Sequence, residues 1–302
     1  MNKEQIAIEF KALQERICFN LENIDGKSLF IEDEWDRLEG GGGRTKIIQE
    51  GNIIEKGGVA FSEVYGAVSE VMRKQLGLEG DDFFATGVSI VLHPSNPHVP
   101  IIHMNVRYFE LNTGQYWFGG GIDLTPHYIV PAQAAEFHQG LKSICDKYHS
   151  TFYPKFKNWA DDYFFIPHRN ETRGVGGIFF DHLTEDCGIA KEDIFKLCLE
   201  LGDNFSLLYN NQVLKGKDLL ATPGDLTWRN LRRGRYVEFN LVNDRGTKFG
   251  LLSGGRTESI LMSLPKNASW EYNLKLESNS PEFETMTLLK KGIDWVSGVV
   301  KN

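Results

Sequence analysis

Residues 84–128, FATGVSIVLHPSNPHVPIIHMNVRYFELNTGQYWFGGGIDLTPHY, constrain the fold more than any other stretch. They read as three successive β-strands: Gly87 to His93, Ile101 to Leu111 and Tyr116 to Asp123. The proline-punctuated loop SNPHVP joins the first two, and NTGQ, with Gly114 available for positive φ, joins the last two. Side chains alternate faces along a strand. Ile102, Met104, Val106 and Tyr108 therefore share one face of the middle strand, and His103, Asn105, Arg107 and Phe109 share the other. Ser89, Val91 and His93 share a face of the first strand, and Trp117, Gly119, Gly121 and Asp123 share a face of the third. If these faces coincide, one surface carries Ser, two His, Asn, Arg and Asp above a floor of glycines. Antiparallel sheets often wet one side, but solvent-facing strands draw on Lys, Glu and Thr. Convergent titratable groups predict a site on this face.

The rest of the chain bounds what such a site can serve. With 302 residues, 41% of them apolar and 25% charged, the chain has ample length for a core. It carries no internal repeat or linker, which predicts a single domain over 1–302. A net charge of −8 argues against nucleic-acid or acidic-membrane binding, so an anionic ligand must be drawn in by a local basic cluster. No run has the length of a transmembrane segment, and MNKEQIAIEFKALQE reads as a charged helix rather than a signal or transit peptide. Cys18, Cys145, Cys187 and Cys198 form no CxxC pair or disulfide framework, which predicts a reducing, cytoplasmic setting.

In chain order, Ile6, Phe10, Leu13 and Ile17 predict a helix from Lys3 to about Ile24 that stops at Gly26. Gly40 to Gly43 could form a flap or turn. As a phosphate cradle the run lacks the Lys-Ser/Thr and the strand–loop–helix setting of a P-loop. KIIQEGNIIEKGG reads as a hairpin turning at Gly51-Asn52, and Ser62 as the N-cap of a helix over 63–76 ending at Gly77. Pro131 opens a helix with the stripe Ala134, Phe137, Leu141 and Ile144; His138 falls at the stripe's edge, where a surface or boundary role is expected. FYPKFKNWADDYFF predicts an aromatic helix, Val175 to Phe180 a strand, and Lys191 to about Tyr209 a core helix. RYVEFNLVNDRGTKFGLLSGGRTESILMSLP reads as three strands turning at Asp244-Arg245-Gly246 and at Ser253, Gly254 and Gly255, with SILMSLP buried or at an interface. Arg256 beside Gly254 and Gly255 suits a carboxylate or a surface strand. A polar loop and a short amphipathic helix close the chain.

Three chemistries compete for the polar face. His93, His103 and Asp123 would form a two-histidine, one-carboxylate metal site to which His138 or His168 could add, although their spacing matches no compact ligand motif such as HExxH. His103 could instead act in acid–base catalysis, tuned by Asp123 or Arg107. Ser89 lies in GVSIV, a strand rather than a nucleophile elbow, which excludes nucleophilic catalysis by serine. Arg107, Arg173 and Arg256 in an acidic chain point to a multiply anionic ligand. The glycines with Phe109, Trp117 and Phe118 point to a flat, bulky one.

Several long segments carry a resemblance to the oxygen-dependent coproporphyrinogen III oxidase family: GGGGRTKIIQEGNIIEKGGVAFSEVYG, GVSIVLHPSNPHVPIIHMNVRYFE, YWFGGGIDLTPHY, YPKFKNWADDYFFIPHRNETRGVGGIFFD and RYVEFNLVNDRGTKFGLLSGGRTESILMSLP, followed by WEY. Together they cover nearly the whole chain in the family's order. The resemblance implies an α+β fold, a large flat antiparallel sheet flanked by helices on both faces, assembled as a homodimer through roughly Tyr236 to Glu271. It implies oxidative decarboxylation of the ring A and B propionates of coproporphyrinogen III to the vinyls of protoporphyrinogen IX in haem biosynthesis. Dioxygen would be the co-substrate, a divalent cation is left open, and no flavin or nicotinamide is implied. Motif by motif, His103 resembles a proton donor and Asp123 the acid that grips pyrrole N–H groups. Ser89, Asn105, Val106, Arg107, Gly254, Gly255 and Arg256 resemble substrate-binding positions, and His93, His103, His138 and His168 proposed metal ligands. The catalytic set implied is His103, Asp123 and Arg107.

Overall fold

The computed structural model describes residues 1–252, 254–297 and 299–300, with the backbone alone at 75, 76, 299 and 300. Helix α1 (Lys3–Asp25) starts at a capping box between Asn2 and Gln5 and ends at Gly26, φ +71°. Strands β1 (Ile31–Asp36), β2 (Gly41–Gln49) and β3 (Ile54–Ala67) follow, then α2 (Glu70–Leu76) and β4 (Asp82–Pro94), β5 (Ile101–Leu111) and β6 (Tyr116–Thr125). Next come α3 (Pro131–Asp146), α4 (Phe152–Tyr163), a two-stranded ribbon of β7 (Phe165–Ile166) and β8 (Glu171–Thr172), and β9 (Gly176–Leu183). Helices α5 (Lys191–Gly216), α6 (Pro223–Glu238), α7 (Arg245–Leu252), α8 (Thr257–Leu261) and α9 (Pro281–Leu288) precede a terminal ribbon of β10 (Ile293–Asp294) and β11 (Val299–Val300).

Seven strands form one antiparallel sheet in the order β1-β2-β3-β4-β5-β6-β9. This is the expected α+β architecture with helices on both faces. The three strands predicted from residues 84–128 are β4, β5 and β6, and the short turn between the last two does place Gly114 at φ +84°. One face of the sheet is apolar. Val88, Ile90, Leu92, Ile102, Met104, Val106, Tyr108, Phe118, Ile122 and Leu124 are buried there against α1, α3 and α5. Each such side chain contributes roughly 1.5–3 kcal/mol on leaving water. Gly202 of α5 lets α1 approach closely: a Cβ there would sit 2.5 Å from Leu13. Helix α4 wraps the β9 edge, setting Phe156 on Phe180 on one side and Tyr163 on Phe179 on the other.

Two stretches differ from the sequence-based expectation. The helix expected over 63–76 begins only at Glu70, capped by Ser69, because β3 continues to Ala67 between two long partners. The glycines at 41–43 are likewise strand rather than flap, with Gly40 (φ +128°) in the turn before them. The larger difference is in the last third, where the three expected strands are α6, a π-helical turn over Phe239–Asn243, α7 and α8. Thr222 and Asp225 form a capping box, Pro223 opens α6, and Trp228, Leu231, Arg232, Arg235, Tyr236 and Phe239 recur at helical spacing. Several of those buried positions are arginines, so the apolar period is masked. SILMSLP is a single helical turn followed by a bend, in which Met262 packs over Gly58 of β3. Ser253 of the expected turn lies outside the described residues.

Candidate active site

The register of the central strands brings the polar residues to one face. In β4, Ser89 pairs with Asn105, Gly87 with Arg107 and Val91 with His103; in β6, Gly119, Gly121 and Asp123 oppose Arg107, Asn105 and His103. The rows continue outward through β3 and β2. Gly87 meets Ser62 and then Gly43; Ser89 meets Ala60 and then Thr45; Val91 meets Gly58 and then Ile47. Gly43, Ala60, Ser62, Gly87 and Ser89 thus form a partly buried band of small residues across three strands beside Asn105 and Arg107, while the row of His103 continues through Val91, Gly58 and Ile47 beneath Met262. At about 4.8 Å per strand the band is on the order of 14 Å wide from β5 to β2.

At the deep end, Asp123 and Arg173 are buried to 1% and 3% exposure and joined by two hydrogen bonds, Nη2 to Oδ1 at 2.7 Å and Nε to Oδ2 at 3.2 Å. The rings of Phe164, Tyr236 and Phe239 enclose the guanidinium at 4.5–4.6 Å, and its Nη1 donates to Asn240 Oδ1 at 3.0 Å. The π-helical turn supplies both Phe239 and Asn240. Asp123 Oδ1 also accepts from His103 Nδ1 at 2.8 Å. Burial alone would raise the Asp123 pKa, but Arg173 and His103 outweigh it and hold the carboxylate below its ordinary range. Because Nδ1–H donates to Asp123, the neutral ring turns Nε2 toward the polar face, where the Asn105 amide lies 3.4 Å away.

Arg107 and Arg256 stand at opposite sides of the band. Arg107 reaches across β6 to Asp181 of β9, Nη2 to Oδ1 at 2.8 Å. Arg256, at the N-cap of α8, donates to Asp33 of β1 at 2.5 Å, and Ser259 one turn later meets Thr45 at 2.8 Å. Trp35 lies over Gly43, where a Cβ would fall 2.4 Å from the indole. The arrangement is a shallow groove floored by small side chains, with a cation on each side and an imidazole inside.

A family model described as coproporphyrinogen III oxidase matches residues 5–295. The chain belongs to the coproporphyrinogen III oxidase family. It is 47% identical over 297 residues to the human mitochondrial oxygen-dependent coproporphyrinogen-III oxidase, covering 94% of this chain and 65% of that protein. The mouse and rat mitochondrial oxygen-dependent coproporphyrinogen-III oxidases are each 45% identical over 308 residues, covering 97% of this chain and 69% of theirs. The chain spans about two thirds of the length of these relatives.

Several residues carried over from the family resemblance sit elsewhere than in the groove. The four histidines of the implied metal site do not converge, and among the described residues no group of three or more His, Cys, Asp or Glu is placed to hold a metal. His138 is fully buried rather than at a boundary. Its Nε2 donates to Val175 O at 2.9 Å and its Nδ1 accepts from the Tyr153 hydroxyl at 3.0 Å, so both nitrogens are engaged. His93 gives Nε2 to Ser263 O at 2.8 Å, and burial with the nearby Arg233 charge lowers its pKa to about 3. His168 pairs with Glu238 at 2.9 Å, beside Arg169. These residues do not fit a shared cation. Val106 points into the apolar core, so its side chain cannot contact a ligand in the groove. Arg173 is spent on Asp123 and Asn240 and is not a groove cation. Gly254 (φ +74°) and Gly255 link α7 to α8 next to Arg256. Asp33, Trp35, Asp181 and Asn240 were missed. Only Asp181, two residues beyond Phe179 on an alternating strand, carried a sequence signal.

Proposed function

We propose that the chain catalyses the oxygen-dependent oxidative decarboxylation of the ring A and B propionates of coproporphyrinogen III, giving protoporphyrinogen IX for haem biosynthesis. The observation that carries this reading is the glycine-, alanine- and serine-floored band between Arg107 and Arg256, with His103 at its side. A flat macrocycle requires a floor without tall side chains, and carboxylates on its rim require separated cations. The relatives' names point to the same substrate.

For each propionate, the carboxylate leaves as carbon dioxide, a hydride equivalent leaves the β-carbon, and a vinyl group forms. Dioxygen takes up the hydride equivalent and one proton to give hydrogen peroxide, so neither flavin nor nicotinamide enters the balance. The proton must come from the protein or solvent. His103 is the group in position to hand it over from Nε2, while Asp123 fixes the ring through Nδ1. Asp123 therefore acts through His103 rather than by gripping pyrrole N–H groups, since it is buried beneath the groove and already bonded to Arg173 and His103. Arg107 and Arg256 hold carboxylates, Ser89 and Asn105 line the floor, and Gly254 and Gly255 give Arg256 its backbone setting. With the histidines dispersed, no step is routed through a metal.

The chain is read as one catalytic domain that forms a homodimer. Support comes from the exposed apolar residues Leu241, Val242, Leu251, Leu252 and Trp270, all inside the contact region implied by family resemblance. The proposed compartment is the cytoplasm, on the strength of cysteines that stay unpaired, although the mammalian relatives are named mitochondrial. No helix among the described residues is long and apolar enough to cross a membrane. The test is incubation with coproporphyrinogen III in air and under nitrogen. Expected is conversion in air alone, with two carbon dioxide and two peroxide per protoporphyrinogen. Binding without conversion would make the chain a tetrapyrrole carrier, and equal conversion under nitrogen would remove dioxygen from the reaction.

A further inference from the structure

Strand β9 carries an irregularity that the alternation of residues does not announce. Between β6 and β9 the pairing passes from Gly120↔Phe180 to Phe118↔Leu183, so Asp181 and His182 together oppose the single residue Gly119. This is a β-bulge, the device by which a strand re-aims a side chain. His182 takes φ +48°, an uncommon value outside glycine. Consequently both side chains arrive on the groove face. The His182 ring stacks on Trp117 at 4.6 Å, and Leu183 returns to the core. The His182 backbone N–H donates to Asp181 Oδ1 at 2.9 Å, which fixes the carboxylate toward Arg107.

Gly119 completes the device. A Cβ on it would lie 2.6 Å from Arg107 Nε and 2.8 Å from Asp181 Oδ1. The ion pair crosses β6 only because that strand has no side chain at this point. The other groove arginine is arranged in the same way: Arg256 of α8 is met by Asp33 of β1. Both arginines available to a ligand carboxylate thus already face a protein carboxylate, and both pairs are partly exposed.

We propose that Asp181 is a resident counter-carboxylate of the groove: it holds Arg107, yields it to an arriving ligand carboxylate, and takes it back when that carboxylate leaves. This deepens and rests on the proposed function, in which the ligand loses two carboxylates as carbon dioxide. Asp181 is a positioning residue in this scheme. It lowers affinity for anionic ligands while keeping Arg107 aimed across β6.

Titrating wild type, Asp181→Asn and Asp181→Ser with coproporphyrin III, the oxidised tetracarboxylate, by quenching of protein fluorescence tests this without turnover. Asn can still accept from Arg107 and from the His182 N–H, so the geometry survives while the competing charge goes. Expected is binding about two- to fivefold tighter for Asp181→Asn, the range an exposed ion pair supports. Asp181→Ser shifts in the same direction, and the tetramethyl ester of the same porphyrin shows no shift. Unchanged or weaker binding of the acid by either variant, with wild-type binding intact, overturns this inference alone. An equal gain for the ester also overturns it. Failure of the wild type to bind the tetracarboxylate overturns both this inference and the functional reading beneath it.

Discussion

The two faces of the central sheet use the same strands in different ways. On the α1/α3/α5 face, stability comes from many interchangeable apolar contacts, among them Ile90, Met104, Phe118 and Phe205, each fully buried. On the groove face, a few groups that cannot be exchanged singly hold the structure: Asp123, Arg173, Asn240 and the three rings around the guanidinium. The first face tolerates volume-conserving change. The second contains a buried charge pair, where removal of one partner strands the other in a low-dielectric site. One sheet therefore separates what keeps the chain folded from what makes it specific, except at Asp123, where the two requirements meet.

The sharpest way to break that contrast is Arg173→Ala. It leaves Asp123 buried and uncompensated, and the expected cost is about 3–5 kcal/mol of unfolding free energy in urea titration. The double variant Asp123→Asn with Arg173→Met should recover most of that loss, because no unpaired charge remains. It should not recover activity, because an amide at 123 can turn its NH2 toward His103 Nδ1 and no longer fixes the tautomer. A cost for Arg173→Ala below about 1 kcal/mol, the value of an exposed pair, would show that the pair does not hold this face.

Legibility in the sequence follows the same division. Period-two alternation revealed β4, β5 and β6, and their true register is the one that places Ser89, His103, Asn105, Arg107 and Asp123 together. A one-residue slip would have buried His103. The last third of the chain was illegible. In α6 the inward positions are Arg229, Arg232, Arg233 and Arg235, each buried, so a charge pattern that reads as surface is interior. Arg233 reaches the Pro94 carbonyl and Glu55, and Arg232 reaches Glu171, partners distant in sequence. His182 was hidden for a related reason: a bulge breaks the alternation from which its facing would be read. His138 misled in the opposite direction, since its burial depends on Tyr153 and Val175, which no helical period specifies.

A smaller effect separates the faces by pH. Burial lowers the His138 pKa from 6.5 to about 4, and the hydrogen bond to Val175 only partly offsets this. The unfolded chain takes up this proton near pH 6.5, whereas the folded chain resists it down to about 4. Stability from the neutral ring is thus complete above pH 6.5 and falls as pH drops toward 4. The slope is up to about 1.4 kcal/mol per pH unit, roughly 2 kcal/mol between pH 6.5 and 5. His138→Gln can still donate to Val175 and accept from Tyr153, so it should flatten this part of the acid limb. Groove-ligand affinity at pH 7 should not move. An acid limb as steep as wild type's would show that His138 titrates normally in the folded chain.

The smallest change in stability should give a large change in binding. Ser89 lies half-buried in the floor row Thr45–Ala60–Ser89–Asn105, flanked by small side chains. Ser89→Ala should alter unfolding free energy by no more than about 0.5 kcal/mol and leave coproporphyrin III affinity within a factor of about two, since a floor residue acts mainly by being small. Ser89→Leu should be comparably neutral for folding, because its side chain rises into the groove and not into the core. It should reduce binding by more than tenfold, about 1.4 kcal/mol or more, by occupying the plane of the macrocycle. Equal binding by Ser89→Leu and wild type would place the ligand away from this floor. A matching loss of stability would show instead that β4 packs as tightly above the sheet as below it, and the distinction between the two faces would fail.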